Sequence, residues 1–136
     1  YDQLIFEEYI GGQEIQVAVI NKISLGAIEL IPKRFFYDYK AKYSKSAKTK
    51  HIMPARLNKK KYREVLQIAK KTHQILGCKG VTRSDFKFFN NRFKLLEINT
   101  QPGMTNLSLV PEIASYAGLS FENLVEKIIL DASINR

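Results

Sequence analysis

Four segments of this chain are predicted to be β-strands, and the first of them alternates between polar and apolar residues. The segment 14–20 places its apolar side chains on one face, and the segment 24–31 follows it after a tight turn. The segments 80–88 and 93–99 form a second pair around two asparagines. Successive strand side chains point to opposite faces, so each segment has a face that must be covered by other parts of the chain.

Three further segments carry the spacing and capping residues of helices. Asn58 is a suitable N-cap for a helix that runs to about Leu76, with apolar residues at three- and four-residue spacing. Ser108 opens a short helix that ends near Gly118, and Ser120 caps the last helix. Strands with segregated helices predict an α+β fold, in which one mostly antiparallel sheet is covered by helices.

Two segments are less regular. Residues 3–9 are interpreted as another strand, which ends at two glycines. Residues 32–57 show no clean period and are polar, basic and rich in tyrosine. A loop of this length inside a compact domain is usually functional or disordered.

The positive charge of the chain is concentrated in one region. Residues 33–63 hold twelve lysines and arginines and one acid, a local charge of +11, within a chain whose net charge is +9. Such a field attracts phosphate-bearing partners, either a nucleic acid or a nucleotide, although a merely solvated basic surface is the simpler alternative.

Composition excludes several classes of protein. Cys78 is the only cysteine, so a disulfide scaffold is excluded, and no apolar run reaches the roughly 18 residues of a membrane span. A single thiol and no visible export signal suit a reducing cytoplasm. The chain begins at Tyr1 rather than Met, and we expect it to be a segment of something longer.

The pairing of the last two predicted strands decides whether a metal site exists. Glu97 and Asn99 are two residues apart and therefore share a face. A two-residue loop at the asparagines sets Asp85 opposite Leu96, whereas a three-residue loop sets Asp85 opposite Glu97 and Phe86 opposite Leu96. Only the second register separates polar from apolar faces, so we predict a three-residue loop or an equivalent bulge.

In that register Asp85 and Glu97 face each other, and Arg83 lies opposite Asn99. Two facing carboxylates repel, and burying both is costly without a cation. Arg83 alone compensates one charge, whereas a divalent ion compensates both. Mg²⁺ is favoured because it takes one or two carboxylates together with phosphate oxygens. A salt-bridged hairpin without metal is the alternative.

The loop 100–105 follows this strand directly. Gly103 allows close approach of the backbone to a ligand. Ser108 stands at a predicted helix start, where free backbone N–H groups can bind a carboxylate or phosphate. An ordinary strand-to-helix connection is the simpler interpretation. His73 lies on the apolar side of its helix and is interpreted as a packed residue, and His51 has no recognisable partner in the sequence.

Several strings together resemble one family. The string LLEINTQPGMT at residues 95–105 resembles the metal strand and following loop of D-alanine–D-alanine ligases, which are ATP-grasp enzymes. Residues 36–43 (FYDYKAKY), 76–80 (LGCKG) and 108–111 (SLVP) extend the resemblance over nearly the whole chain. It implies the carboxy-terminal part of the ATP-grasp fold over all 136 residues, with the amino-terminal and central parts absent.

The resemblance implies an activity and a set of ligands. The family joins two D-alanines at the expense of ATP, through an acyl phosphate on the first, for peptidoglycan synthesis. The implied ligands are ATP, D-alanine and two Mg²⁺ or Mn²⁺ ions per site. The implied setting is a cytoplasmic homodimer that includes the amino-terminal part of the enzyme.

It also implies residue roles. The nucleotide would be held by an adenine hinge, a ribose-binding acid and a phosphate-binding lysine: Glu7, Glu8, Tyr9 and Ile10, then Glu14, then Lys42. The ions would be held by Asp85, Glu97 and Asn99. The tetrahedral intermediate would be stabilised by Arg83 and the Gly103 N–H, with Tyr43 closing over the D-alanine site. The second D-alanine's carboxylate would be held by Ser108 and Leu109.

Two alternatives remain open. One is another ATP-grasp ligase with a different acceptor, such as D-lactate. The other is a basic nucleic-acid-binding module, supported by the charge of residues 33–63 and their interleaved tyrosines. Nucleic acid is the weaker interpretation because Glu14, Asp85 and Glu97 would face the same side. We expect the chain alone to be folded but inactive as a ligase, since the first D-alanine site belongs to the absent part.

Overall fold

The computed structural model describes residues 4–32 and 49–133. Five strands form one sheet in the described part: Gln13–Ile20 (β1), Ile23–Ile31 (β2), Lys50–Ile52 (β3), Val81–Phe89 (β4) and Arg92–Asn99 (β5). Their order across the sheet is β3-β2-β1-β4-β5, and every neighbouring pair is antiparallel. The central strand β1 is therefore paired on both sides, which is why six of its eight residues are buried.

Three helices lie in the described part: Lys59–Ile75 (α1), Leu109–Tyr116 (α2) and Phe121–Asp131 (α3). The Asn58 side chain caps α1 by accepting a hydrogen bond from the Lys61 N–H at 2.9 Å. Ser120 caps α3 through the Asn123 N–H at 3.2 Å. The predicted α+β fold, an antiparallel sheet covered by helices, is confirmed. No described helix combines the length and apolarity that a bilayer crossing requires.

Helix α1 covers one face of the sheet. The buried side chains of this layer are Ile15, Val17, Val19, Ala27, Ala55, Val65, Ala69 and Phe86. The Tyr62 hydroxyl accepts a hydrogen bond from the Ala27 N–H at 3.0 Å, which ties the helix to β2. His73 is 1% exposed, and its Nδ1 lies 2.9 Å from Thr82 Oγ1, so the interpretation of His73 as a packed residue is confirmed.

A buried carboxylate attaches the chain segment before α1 to the same face. Glu29 is 2% exposed and accepts hydrogen bonds from Arg56 Nη2 at 2.8 Å, Arg56 Nε at 2.9 Å and the Arg56 N–H at 3.2 Å. Gln13 Nε2 donates to it at 3.1 Å. The Arg56 hydrogen bonds are the main reason that the pKa of Glu29 is lowered. This carboxylate is therefore charged and fully engaged in holding the fold.

The other face of the sheet is only partly covered. Helices α2 and α3 pack over one end of it, where the buried side chains are Ala18, Ile20, Ile28, Val81, Val110, Ile113, Ala114 and Leu124. The other end of this face carries Glu14 and Asp85, and both line a cleft of about 730 Å³. We call this half-open surface the cleft face.

Two predicted elements differ from the structure. The strand predicted at residues 3–9 is wrong for its described residues, because residues 4–10 adopt no strand and pair with none in the sheet. Leu4, Ile5, Phe6 and Tyr9 are instead 72–89% exposed. The region 32–57, predicted to be a loop, contains the short edge strand β3, which pairs with β2. An edge strand of three residues is too short to show a period.

The turn between β4 and β5 also differs from the three-residue loop that we predicted. It is a two-residue turn at Asn90 and Asn91, both with positive φ, as such tight hairpin turns require. The alternative prediction, an equivalent bulge, is what the structure contains. The register shifts between Asp85 and Phe86, so Phe86 pairs with Leu95 rather than with Leu96 as we predicted.

Candidate functional site

The bulge brings the predicted acidic residues to opposing positions. Beyond it, Asp85 pairs with Glu97 and Arg83 pairs with Asn99, as the face-separation argument predicted. The extra residue in β5 is Leu96, which is half exposed beside the cleft. The four polar residues thus share one side of the β4–β5 hairpin, at the open end of the cleft face.

Arg83 and Asp85 form the tightest contact of this group. Arg83 Nε and Nη2 donate to the two Asp85 carboxylate oxygens at 2.8 and 2.9 Å. The Asp85 side chain is only 13% exposed, and burial raises its pKa, opposed by the Arg83 guanidinium and reinforced by Glu97. Asp85 is therefore a desolvated carboxylate that depends on a neighbouring positive charge.

Glu97 is held far more loosely. Its Oε1 lies 3.7 Å from Arg83 Nη2, and its side chain is 63% exposed. The salt-bridged hairpin proposed as the alternative to a metal is thus formed through Asp85, while Glu97 keeps most of its carboxylate in solvent. One guanidinium faces two carboxylates, which leaves a local excess of negative charge.

Asn99 completes the group and starts the following loop. Its Oδ1 accepts a hydrogen bond from the Gln101 N–H at 2.9 Å. In the described residues, no cluster of three or more His, Cys, Asp or Glu side chains is arranged to hold a metal. The candidate metal set consists instead of two carboxylates and one amide, and one lone pair of that amide oxygen is already used.

The cleft beside this group is lined by the chain segment before β1. Its walls are Glu7, Glu8, Tyr9, Ile10, Glu14, Asp85, Phe86, Lys87, Leu95, Leu96 and Glu97. Glu14 Oε2 accepts from Lys87 Nζ at 3.2 Å across β1 and β4, and Glu8 Oε2 accepts from Lys94 Nζ at 3.1 Å. All five predicted nucleotide-binding residues in the described part therefore border one cleft, next to the two acids.

The loop after β5 brings Gly103 against the start of α2. A Cβ at Gly103 would lie 2.8 Å from Ser108 Oγ, so the close approach requires glycine or a displacement of the hydroxyl. The Ser108 hydroxyl accepts from the Thr105 N–H at 3.0 Å and makes no side-chain cap to its helix. Ser108 and Leu109 therefore stand at a helix N-terminus that the serine side chain does not satisfy.

Three further residues singled out in the sequence lie away from the cleft or outside the described part. Lys42 and Tyr43 lie outside the described residues. His51, which showed no partner in the sequence, contacts Glu112 of α2 through Nδ1 and Oε2 at 2.7 Å. The two residues are 61 positions apart in the sequence, so no local pattern could predict the contact.

Solved ligases share this architecture. A D-alanine–D-alanine ligase from Bacillus anthracis in complex with ATP superposes with a TM-score of 0.75 at 26% identity, covering 92% of this chain and 39% of that one. The VanG D-Ala:D-Ser ligase of Enterococcus faecalis gives a TM-score of 0.76 at 31% identity, covering 90% and 36%. The fold is that of the carboxy-terminal part of ATP-grasp ligases.

The family follows from the sequence comparisons. A family model described as D-ala D-ala ligase C-terminus matches residues 1–130, and the chain belongs to that family. A D-alanine–D-alanine ligase of Pelagibacter ubique is 63% identical over 136 residues, which is all of this chain and 45% of that protein. One from Rhodopseudomonas palustris is 45% identical over 141 residues. The chain thus spans less than half the length of these relatives.

Proposed function

We propose that this chain is the nucleotide- and metal-binding part of an ATP-dependent D-alanine–D-alanine ligase. The parent enzyme would join two D-alanines through an acyl phosphate, for peptidoglycan synthesis, as a cytoplasmic homodimer. The observation that carries the proposal is the pairing of Asp85 with Glu97, beside Arg83, at the edge of the cleft. The first D-alanine site would belong to sequence that the relatives have beyond their match to this chain.

The nucleotide would occupy the cleft on the open half of the sheet. Residues 7–10 are in no strand or helix, so their backbone groups are not committed to a ladder and suit the edge of an adenine ring. Glu14 borders the same cleft and would accept hydrogen bonds from the ribose hydroxyls. Its contact with Lys87 holds the carboxylate at the cleft wall.

The metal-binding residues would be Asp85, Glu97 and Asn99, with two Mg²⁺ or Mn²⁺ ions per site. The donor set fits hard divalent cations, which prefer carboxylate and amide oxygens. The excess negative charge around the single guanidinium and the burial of the Asp85 carboxylate both favour an added cation. When bound, such ions would neutralise the negative charge of the phosphates during transfer.

The reacting carbonyl would be placed between β4 and the loop after β5. Arg83 is positioned by its two hydrogen bonds to Asp85, and the Gly103 N–H would act with it on the developing oxyanion. Each such donor is typically worth about 2.7–4 kcal/mol in the transition state. Ser108 and Leu109, at the N-terminus of α2, would hold the second D-alanine's carboxylate. Lys42 and Tyr43 would close over the phosphates and the D-alanine site.

A chimaera tests the proposal. The Pelagibacter ubique relative supplies the sequence that precedes its match, and this chain follows it in one polypeptide. We expect ATP-dependent synthesis of D-alanyl-D-alanine by the chimaera and none by the isolated chain. Glu97→Gln should abolish the synthesis, whereas Glu126→Gln on the exposed side of α3 should not.

The outcomes separate fold from function. A chimaera that unfolds cooperatively and binds an ATP analogue but forms no dipeptide would contradict the ligase assignment. Full activity in the Glu97→Gln chimaera would contradict the metal assignment. Tight, salt-sensitive binding of an oligonucleotide to the isolated chain, without any effect of Mg²⁺ and nucleotide, would favour the nucleic-acid alternative.

A second candidate differs only in the acceptor. The likeness to a D-Ala:D-Ser ligase is as close in fold as that to the D-alanine–D-alanine ligases, so the shared architecture does not select the acceptor. Assaying the chimaera with D-alanine, D-serine and D-lactate as competing acceptors decides between them. We expect D-alanine to be preferred, and a preference for either of the others would correct the proposal.

A further inference from the structure

A buried amide on the central strand has no described function. Gln16 lies in the middle of β1 and is 5% exposed. Its Oε1 is buried and has no hydrogen-bond partner within the described ranges. Buried acceptors are nearly always satisfied, so an orphaned one in the core of a sheet requires an explanation.

The position of Gln16 connects it to the candidate metal site. Its Cα partner in β4 is Asp85, so the two side chains stand directly opposite each other on the cleft face. Directly opposed residues have Cβ atoms about 4.5–5.5 Å apart, within the reach of a bridging water. Glu14 lies two residues before Gln16 on the same face of β1 and lines the cleft. Gln16 is thus a direct neighbour of Asp85 across the strands and of Glu14 along β1, although it does not itself line the cleft.

The other orphaned atoms lie elsewhere. Ser84 Oγ and His73 Nε2 are the two further buried side-chain atoms without a partner in the described part. Ser84 alternates with Asp85 along β4 and therefore points to the α1 face. His73 belongs to α1 itself. Among the three, Gln16 alone is on the cleft face.

We propose that Gln16 is a positioning residue for the metal site, accepting through Oε1 a hydrogen bond from a water that the ion carries beside Asp85. This rests on the proposed function. A neutral amide oxygen suits this place, because metal-bound water is a strong donor and Mg²⁺ keeps several waters in protein sites. Groups that hold the ligands or waters of a metal typically contribute 10–100-fold to its affinity.

The test uses Mn²⁺ as the probe and the 136-residue chain as the protein. Electron paramagnetic resonance of free Mn²⁺ gives the affinity of each variant, and urea unfolding without metal gives its stability. Gln16→Met keeps the length and removes the acceptor. We expect Gln16→Met to weaken Mn²⁺ binding about tenfold or more. It should not lower the urea midpoint without metal, because the substitution removes a buried amide oxygen that has no hydrogen-bond partner in the described part.

Two controls separate the acceptor from packing. Ser84→Ala removes the other orphaned oxygen of the sheet, on the opposite face, and should leave Mn²⁺ affinity unchanged. Gln16→Glu keeps an acceptor oxygen at the same length and should retain at least wild-type Mn²⁺ affinity. Gln16→Leu serves as the second acceptor-free variant should the methionine disturb folding.

The outcomes distinguish this inference from the proposed function. If Asp85→Asn weakens Mn²⁺ binding but neither Gln16→Met nor Gln16→Leu does, the role of Gln16 is refuted and the metal site stands. Equal losses in Gln16→Met and Gln16→Glu would show packing and would also refute it. If wild type binds no Mn²⁺ either with or without the ATP analogue AMP-PNP, or Asp85→Asn changes nothing in either condition, the metal site itself fails and the inference fails with it.

Discussion

Replacing Glu97 with glutamine separates a metal ligand from a salt-bridge partner. In the structure the Glu97 side chain is 63% exposed and lies 3.7 Å from Arg83 Nη2. An ion pair with that exposure contributes about 0–1 kcal/mol, and its loss is offset by relief of repulsion with Asp85. Without metal, we therefore expect Glu97→Gln to change the free energy of unfolding by less than about 1 kcal/mol.

The effect should appear only when Mg²⁺ and nucleotide are present. A ligand at 100 times its dissociation constant stabilises the folded state by about 2.7 kcal/mol. If losing one of two carboxylates weakens binding about tenfold, the same concentration stabilises the variant by only about 1.4 kcal/mol. The variant should therefore lose roughly half of the ligand-dependent stabilisation.

Urea unfolding with and without Mg²⁺ and the ATP analogue AMP-PNP measures both quantities. Glu126→Gln, which changes an exposed acid on α3, is the matched control and should keep the full ligand effect. A loss of several kcal/mol in Glu97→Gln, equal in both conditions, would identify a purely structural ion pair. An unchanged ligand effect would remove Glu97 from the metal site.

Three further predictions concern the scaffold. Tyr62→Phe leaves the buried Ala27 N–H without its hydroxyl partner and should cost about 1–3 kcal/mol in urea unfolding. Glu29→Gln should destabilise the protein by about 1.5–3 kcal/mol at neutral pH. Because the pKa of Glu29 is lowered in the folded state, its charged carboxylate stabilises the fold fully above about pH 4.5, the ordinary glutamate pKa. That stabilisation is lost as the pH falls through the folded-state pKa, so the free energies of unfolding of wild type and variant should converge in acid. Gly12→Ala should destabilise strongly, because φ is +96° and the new Cβ would clash with the Phe88 carbonyl oxygen; a small loss in urea unfolding would refute this.

Local signals predicted most of the regular elements. Asn58 and Ser120 indicate where α1 and α3 begin, because the side-chain oxygen of an N-cap residue accepts a hydrogen bond from a helix N–H within three residues. Alternation predicted β1, since its period is a property of seven consecutive residues. The strand predicted at residues 3–9 was wrong for its described residues, because apolar composition suggests a strand but a strand needs a partner with which to share hydrogen bonds.

The candidate site was predicted partly for the right reason. Face separation required Asp85 opposite Glu97, and that requirement held. The three-residue loop was wrong, but the equivalent bulge that we predicted as the other means is present, at Leu96 after a two-residue turn. A bulge is a balance between turn geometry, twist and side-chain burial, and no single residue type marks it.

The amino-acid sequence by itself determined the helices, the two hairpin pairings of β1 with β2 and of β4 with β5, and the face on which the acids lie, because these depend on spacing along the chain. Only the tertiary structure decided that β1 pairs with β4, which of those acids is desolvated, and that Arg83 binds Asp85 more closely than Glu97. It also decided that Gln16 is buried opposite Asp85, with no hydrogen-bond partner for its Oε1 in the described part. Burial and charge pairing depend on what neighbouring strands and helices exclude from water, and that is set by contacts between residues far apart in sequence.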